Sequence, residues 1–264
     1  MKSQLQTYLT DQERQHGKER RENKDTAGRT PPPASLVGTF LQIPKLRAYY
    51  PFTSIDDAGA VYDLSGQGRT LTNNSATAFG LENTVSYGIG DGAADYFSRA
   101  DEAGLSITGA LSLVGWAYSD DTPAGVETLS GKWNTTGNQR SYVVRMTSTP
   151  DYRGLVSSNG TAETSVTSTV AYVAAKWFMY ALVFVPSTSL SLYINENGLM
   201  VATTNVTSIP ASIADGTAPF TVQANGTPGE YLDGRHSNLA LANYSLSAGF
   251  VQWLFDSTRW GYGA

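Results

Sequence analysis

The chain has no cysteine, only two histidines and few charged residues. Without cysteine it can form no disulfide bond, no thiolate nucleophile and no cysteine-ligated metal site. His16 and His236 alone give little basis for a histidine triad or a histidine-rich metal centre. Charged residues make up 16% of the 264 residues, which argues against a disordered chain and against a long charged coiled coil. We therefore expect a globular protein.

Long apolar runs are also missing. A membrane-spanning helix needs about 18 or more consecutive apolar residues, and the sequence contains no such run. The first residues, MKSQLQTYLTDQERQHGKERRENKD, lack the apolar segment of a secretion signal. We therefore expect no membrane among the partners of this protein.

Charge and proline divide the chain into three parts. Residues 1–30 hold seven Lys and Arg against five Asp and Glu, a net charge of +2, so residues 31–264 carry a net charge of −7. Pro31-Pro32-Pro33 forms a stiff extended spacer that no helix can cross. The sequence therefore predicts an N-terminal arm over residues 1–30, a proline-rich linker over residues 31–43 and a folded domain over residues 44–264.

The arm contains good helix formers but almost no apolar face to bury. Thr10 and Glu13 have the spacing of a capping box. Because an ordered polar arm usually lies on something, we expect it to anchor the protein to a partner subunit, with a solvated charged tail as the alternative. Acidic residues interrupt the basic ones throughout, so nucleic acid is not an expected partner. The predicted anchoring residues are Leu5, Tyr8, Leu9, Arg14, Arg20 and Arg21.

Beyond the linker, short runs of β-branched and aromatic residues alternate with turn signals, as in an all-β sandwich. Asn197-Gly198 favours a type I′ hairpin, and Trp177–Val185 is apolar on both faces, which is typical of a central strand between two layers. A helix that begins after Ser247 is expected to plug one end of the sandwich. The predicted strands include Leu46–Phe52, Ala110–Tyr118, Ser141–Met146, Trp177–Val185, Leu190–Ile194 and Leu199–Thr203.

Several motifs follow one another in a characteristic order between about residues 49 and 255. They are Tyr50-Pro51-Phe52, Val61–Gly66 with its D-x-S-G turn, Asp91-Gly92 with Asp95-Tyr96, Leu111–Trp116, Leu129–Trp133, Trp177–Val185 with Leu192–Asn195, and Asp233-Gly234 with Leu246-Ser247. Together they resemble the laminin-G-like branch of the concanavalin A-like lectin/glucanase superfamily. Ser237-Asn238 stand where that family usually has Asp-Glu, and Ala242 stands where it has Tyr. This combination of motifs, together with the phrase KWNTTGNQRSY, also resembles virion-associated proteins of tailed bacteriophages.

The resemblance implies a two-sheet antiparallel jelly-roll sandwich that binds sugar or protein surfaces and performs no chemistry. Together with the arm, it implies a non-enzymatic virion protein on the surface of a phage particle. The arm would attach this protein to other proteins of a capsid or tail, and the sandwich would serve as a decoration or adhesion module for host-surface glycans. Such proteins are commonly homo-oligomers. The alternatives are a glycan-active hydrolase of the glucanase type and a purely structural capsid cement protein.

The sequence lacks the paired carboxylates that a glycoside hydrolase needs. Retaining glycosidases hold two carboxyl groups about 5 Å apart, usually on one strand as E-x-D-x-E, and no Glu of the folded domain begins such a motif. In a strand, adjacent acids point to opposite faces, so we interpret Asp56-Asp57, Asp101-Glu102 and Asp120-Asp121 as turn residues. His236 is expected to be a neutral, hydrogen-bonded core residue. The sequence therefore predicts no catalytic residues.

Sugar recognition usually pairs a flat aromatic ring with amide and guanidinium hydrogen-bonding groups. The predicted carbohydrate contacts are Trp133, Asn134, Asn138, Arg140 and Tyr152. A core Trp133 followed by a plain polar hairpin is the alternative.

No cofactor and no bound metal are expected. If a metal does bind, the resemblance implies calcium at loop carboxylates, with turn-forming aspartates as the alternative. The three carboxylates concerned are Asp91, Asp95 and Asp233.

Overall fold

The computed structural model describes residues 35–264 except Ser54, Pro150 and Pro228. Its helices are α1, Leu36–Phe40, and α2, Ala248–Thr258. The residues predicted to anchor the protein to a partner lie outside the described part of the chain, so their prediction stays as it was. They are Leu5, Tyr8, Leu9, Arg14, Arg20 and Arg21.

The described strands form two antiparallel sheets, which confirms the predicted all-β sandwich. In chain order the strands are β1 Leu46–Tyr50, β2 Thr72–Asn74, β3 Ala78–Glu82, β4 Val85–Asp91, β5 Tyr96–Arg99, β6 Leu111–Ser119, β7 Glu127–Asn134, β8 Gln139–Thr147, β9 Asp151–Val156, β10 Thr164–Thr167, β11 Lys176–Val185, β12 Ser189–Glu196, β13 Leu199–Asn205, β14 Phe220–Val222 and β15 Asp233–Ala242. The large sheet has eight strands in the order β13-β12-β11-β6-β15-β4-β3, with β1 also paired to β15. The small sheet has seven, in the order β10-β9-β8-β7-β14-β5-β2.

The main core lies between the two sheets, and a second apolar cluster covers the outer face of the large sheet. Strand β11 contributes to both. Phe178 and Leu182 point into the main core, whereas Met179 and Ala181 belong to the outer cluster. Because neighbouring residues of a strand point to opposite faces, a strand that is apolar on both faces needs a layer on each side. The prediction of a central strand at Trp177–Val185 is confirmed.

Helix α2 provides the outer layer. Ser247 Oγ accepts a hydrogen bond from Phe250 N at 3.3 Å, so the helix begins where the sequence predicted. Val251, Leu254 and Phe255 are buried in the outer cluster. The expectation that this helix plugs one end of the sandwich is wrong, because the apolar outer face of the large sheet is the surface that it covers.

Helix α1 lies within the segment that the sequence analysis assigned to the linker. Phe40 and Ile43 are nevertheless buried in the outer cluster, and the Phe40 ring stacks on Tyr49 with 5.2 Å between centroids. The packed body therefore includes residues from α1 onwards, ahead of the expected boundary at residue 44. The proline spacer predicted an extended linker, but burial of these apolar side chains stabilises the packing of this segment on the sheet.

The β12–β13 hairpin has the predicted turn. Asn197 and Gly198 have φ angles of 50° and 80°, and Glu196 pairs with Leu199 across the turn. Two consecutive positive φ values characterise the type I′ turn, which matches the right-handed twist of the flanking strands.

A buried polar network joins β1, β15 and the C-terminal segment. Asn238 Oδ1 accepts from Tyr49 Oη at 2.6 Å, and Asn238 Nδ2 donates to Tyr262 Oη at 2.7 Å. Tyr262 Oη in turn donates to Ser237 Oγ at 3.0 Å. An uncharged hydroxyl and amide, Ser237 and Asn238, thus occupy the buried positions where the resembled family usually has acids.

Candidate ligand-binding site

Two of the predicted sugar contacts are buried. Trp133 is 1% exposed and packs with Val143 and Leu155, while Tyr152 is 2% exposed and its ring centroid lies 4.8 Å from that of Phe178. The chain after β14 returns alongside Trp133, where Gly226 N donates to the Trp133 carbonyl at 2.7 Å. Because a buried ring offers no face for stacking, the structure corrects the prediction that Trp133 and Tyr152 contact a sugar.

The three polar residues of the predicted set remain at the surface. Asn138 is exposed, whereas Asn134 and Arg140 are half-buried. Asn134 Oδ1 accepts from Thr136 N at 2.8 Å, and Arg140 Nη1 donates to the Thr161 carbonyl at 2.7 Å. These bonds fix the β7–β8 loop, whose polar groups face solvent at one end of the small sheet.

Residues 213–217 connect this loop to the loop that precedes β6. Ile213 N donates to the Thr108 carbonyl at 2.8 Å. Four residues later, Thr217 N donates to Gln139 Oε1 at 2.6 Å. The predicted polar loop and the chain around Thr108 therefore lie at the same end of the sandwich.

A cavity of about 480 Å³ opens at this end, and we call it the arginine pocket. Its volume falls within the range of about 300–1,000 Å³ that is usual for small-molecule sites. Its walls come from four separate segments of the chain, and no local spacing in the sequence marks these residues as parts of one site. The groups that matter below are Arg47, Arg69, Gly104, Ser106, Thr108 and Asn243.

Arg69 is positioned by the D-x-S-G turn. Asp63 Oδ1 accepts from Ser65 N at 2.8 Å, and Asp63 Oδ2 accepts from Arg69 N at 3.0 Å, as is typical of an aspartate that organises a turn. Arg69 Nη1 then donates to the Arg47 carbonyl at 2.6 Å. A Cβ atom at Gly104 would overlap the Arg69 guanidinium group, so any larger residue there would displace that group from its present position. The motif thus delivers a fixed guanidinium group to the pocket wall.

Positive charge exceeds negative charge around the pocket. Glu102 forms ion pairs with both Arg69 and Arg99, the second at 3.0 Å. With its amide oriented to satisfy both neighbours, Asn243 donates to the Ala110 carbonyl at 3.0 Å and accepts from Arg47 Nη2 at 3.3 Å. Arg69 and Arg99 are thus paired with a carboxylate, whereas the described partner of the Arg47 guanidinium group is a neutral amide.

The opposite end of the sandwich is acidic. Strand β6 runs from Leu111, near the pocket, to Ser119, about 26 Å away along an extended strand. Asp120 and Asp121 follow it, and burial together with these two carboxylates raises the pKa of Asp233. Burial and neighbouring acids also raise the pKa of Glu127 to about 7. We call this region the acidic end.

The aspartates expected for calcium lie at the acidic end. Asp233 is paired with Asp91 across β15 and β4, and Asp95 follows in the next loop. Asp91 Oδ1 accepts from the backbone N–H groups of residues 93, 94 and 95 at 2.8–3.0 Å, and these bonds lower the pKa of Asp91. In the part of the chain that the structure describes, no three acidic or histidine side chains are grouped to hold a metal ion. The expectation of no bound metal, with calcium as the alternative, stays a prediction.

The groups that hydrolysis would need are engaged elsewhere. His236 Nε2 lies 2.8 Å from Tyr180 Oη, which is 2.6 Å from Ser130 Oγ, and all three residues are buried. Burial lowers the pKa of His236 to about 3, which confirms the neutral core histidine. Asp101 pairs with Lys132 at 2.9 Å. Because Ser130, Tyr180 and His236 are all buried, their hydrogen bonds do not form an exposed nucleophile–base pair.

Among residues 35–264, the described helices fall short of the length and apolar character that a bilayer-spanning helix needs.

Comparison with known proteins agrees with this architecture. The family model described as the concanavalin A-like lectin/glucanases superfamily matches residues 91–252. A search of curated protein sequences finds no match.

Similar solved structures include binding domains of a mosquitocidal protein and of botulinum neurotoxins. The binding domain of Paraclostridial Mosquitocidal Protein 1 has a TM-score of 0.63, with 12% identity over 81% of this chain and 52% of that one. The binding domain of botulinum neurotoxin DC in complex with SialylT has a TM-score of 0.61, with 12% identity over 81% and 52%. The receptor-binding domain of the botulinum neurotoxin C/D mosaic serotype has a TM-score of 0.62, with 12% identity over 81% and 51%. The chain thus spans about half the length of these domains, and such low identity shows the shared fold alone.

Proposed function

The chain belongs to the concanavalin A-like lectin/glucanase superfamily, and from this we propose that it is a non-enzymatic adhesion module that binds glycans at the arginine-pocket end of its sandwich. The arginine pocket is the observation that carries this proposal. Sugars present many hydroxyl groups and need a concave site with several hydrogen-bonding groups. The pocket offers guanidinium, hydroxyl and amide groups in a cavity of about 480 Å³.

Two further observations support binding without chemistry. The similar solved structures are binding domains, one of them in complex with SialylT. Among the paired acids, Asp101 and Glu102 are held by Lys132, Arg69 and Arg99, so their carboxylates are not available as an acid–base pair.

Binding is tested with the full chain on a glycan array, using a variant that adds bulk at the pocket wall. Gly109 lies on this wall and a Cβ atom there meets open space, so Gly109→Phe adds a ring on a side chain whose Cβ contacts no neighbouring atom. Gly125 is equally open but lies in the loop after β6, at the acidic end, so Gly125→Phe is the matched control. We expect the wild type and Gly125→Phe to bind the same glycans and Gly109→Phe to lose at least tenfold in signal. Absence of any bound glycan, or equal losses in both variants, would contradict the proposal.

We also propose that the protein is displayed on the surface of a phage particle as a homo-oligomer. In this proposal the arm, residues 1–30, attaches to another virion protein. The phrase KWNTTGNQRSY supports it, as does the net charge of +2 on the arm beside −7 on the rest of the chain.

Attachment is tested by deleting residues 1–30 and measuring incorporation into particles. We expect the truncated protein to keep its β-sheet circular dichroism and to be absent from purified particles. Incorporation at the wild-type level would refute the anchoring role, whereas glycan binding would be unaffected by that result.

A further inference from the structure

We infer that the arginine pocket recognises sugars that carry a negatively charged substituent, a carboxylate or a sulfate, and that Arg47 meets this charge. The inference rests on the proposed glycan binding and names the class of ligand. Three observations carry it. The charge of Arg69 is paired with Glu102, the Arg47 guanidinium group bonds to a neutral amide, and neutral hydroxyl groups lie beside both arginines.

Arg69 is a positioning residue. Its Nη1 donates to the Arg47 carbonyl at 2.6 Å, its Nε faces Glu102, and the guanidinium group packs on Gly104. The Nη1 and Nε donors thus hold the wall together, and the charge of Arg69 is paired with Glu102. By fixing the Arg47 carbonyl, these contacts also fix the backbone from which the Arg47 side chain extends.

Arg47 has donor capacity left over. A guanidinium group carries five N–H donors in a planar fork that matches the oxygens of a carboxylate or a sulfate. Within the described residues, its hydrogen-bonding partner is the Asn243 amide, which accepts from Nη2 at 3.3 Å. Among the described ion pairs, the two acids near this wall are paired with other cations, Glu102 with Arg69 and Arg99, and Asp101 with Lys132.

The remaining positive charge selects the ligand. A guanidinium group that lines a cavity without a facing carboxylate lowers the free energy of an anionic substituent more than that of a hydroxymethyl group. The acidic end lies about 26 Å away along β6, beyond a Debye length of about 8 Å, so it does not cancel this attraction.

Neutral groups complete the pocket for a sugar ring. Ser106 Oγ donates to Asp101 Oδ1 at 3.1 Å, which leaves its oxygen lone pairs as acceptors for a ligand hydroxyl. Thr108 contributes a second hydroxyl group to the lining. Anionic and hydroxyl recognition are therefore combined in one cavity.

The test compares lactose, 3′-sialyllactose and 3′-sulfolactose, which share one disaccharide and differ in its charge. Dissociation constants of the full chain for the three sugars are measured by titration calorimetry. We expect either or both anionic sugars to bind at least about tenfold more tightly than lactose, because a charge-assisted pair of this kind contributes roughly that factor. The carboxylate and sulfate arms show which anion is preferred.

Arg47→Gln should lower the affinity for the anionic sugars at least about fivefold more than the affinity for lactose, and Arg47→Lys should keep part of the preference. Lys176→Gln is the matched control, because Lys176 is exposed at the far end of the sandwich and its loss changes the net charge equally. We expect Lys176→Gln to retain the full preference.

The outcomes separate the two proposals. Equal affinity for all three sugars, or the same loss in Lys176→Gln as in Arg47→Gln, overturns the inference while the proposed glycan binding stands. If none of these sugars binds but the array yields neutral glycans, the inference again fails alone. If no glycan binds in either experiment, the proposed function fails and the inference fails with it.

Discussion

Lys132 is a fully buried cation in the small sheet. Its side chain is 0% exposed, and its Nζ lies 2.9 Å from Asp101 Oδ1. When one partner of a buried ion pair is removed, the other is left as an uncompensated charge, at a cost of about 3–5 kcal/mol. We predict that Asp101→Asn lowers the free energy of unfolding by about 3 kcal/mol, as measured by urea denaturation.

Lys132→Met is the matched comparison, because it removes the buried charge and keeps a side chain of similar length. It should cost clearly less than Asp101→Asn. Similar losses in both variants would show that packing, and not the buried charge, determines the effect.

Glu127 makes the stability dependent on pH. Burial, Asp233 and Asp121 raise its pKa from 4.5 to about 7, and its Oε2 has no hydrogen-bonding partner among the described residues. The folded state therefore keeps a proton that the unfolded state releases between these two values. The contribution of the Glu127 carboxyl to the free energy of unfolding is fully present below about pH 4.5, and it is lost as the pH rises through 7.

We predict that Glu127→Gln raises the melting temperature at pH 8 and that the gain shrinks towards pH 5. The amide cannot ionise, so the variant avoids the buried charge. Thermal denaturation at several pH values checks this prediction. A difference from wild type that does not change with pH would argue against it.

Single residues of the site were only partly predictable. Asn134, Asn138 and Arg140 lie at the surface, as expected from their place in a polar loop. Trp133 and Tyr152 do not, because alternation along a strand tells which residues share a face and not whether that face is covered. The arginine pocket draws on four distant segments, which no local pattern connects.

At the scale of elements, the Asn238 network holds β1, β15 and the C-terminal segment together. Asn238 is 2% exposed and bonds to both Tyr49 and Tyr262. We predict that Asn238→Ala lowers the free energy of unfolding by about 2–4 kcal/mol, because it leaves buried hydroxyl groups without partners. Urea denaturation measures the loss. Tyr262→Phe removes one hydroxyl and should cost less, and a larger loss in that variant would contradict this account.

The positions of single helices and turns in the chain were more predictable than the surfaces on which the helices pack. The hairpin at Asn197-Gly198 and the helix after Ser247 form where turn and capping chemistry place them. The surface that α2 covers was not predictable, because it depends on the outer face of β6 and β11, which only the assembled sheet creates. The same holds for α1, whose Phe40 packs beside Tyr49.

At the scale of the whole molecule, the sandwich could be expected from the order of its motifs, but its sheet order could not. β15 pairs with β1, β4 and β6, all far away in sequence. Local propensity carries no information about such long-range pairing. The separation of charge between the arginine pocket and the acidic end likewise emerges only when distant loops meet.

The central claim is that glycans bind at the arginine-pocket end, and amide chemical-shift mapping of the full chain, saturated with the glycan that gives the strongest signal on the array, tests it most directly. We predict that the shifted signals belong to residues 103–109 and 134–140 and to Arg47 and Asn243. Shifts clustered at residues 120–127 of the acidic end, or no shifts at all, would contradict the account.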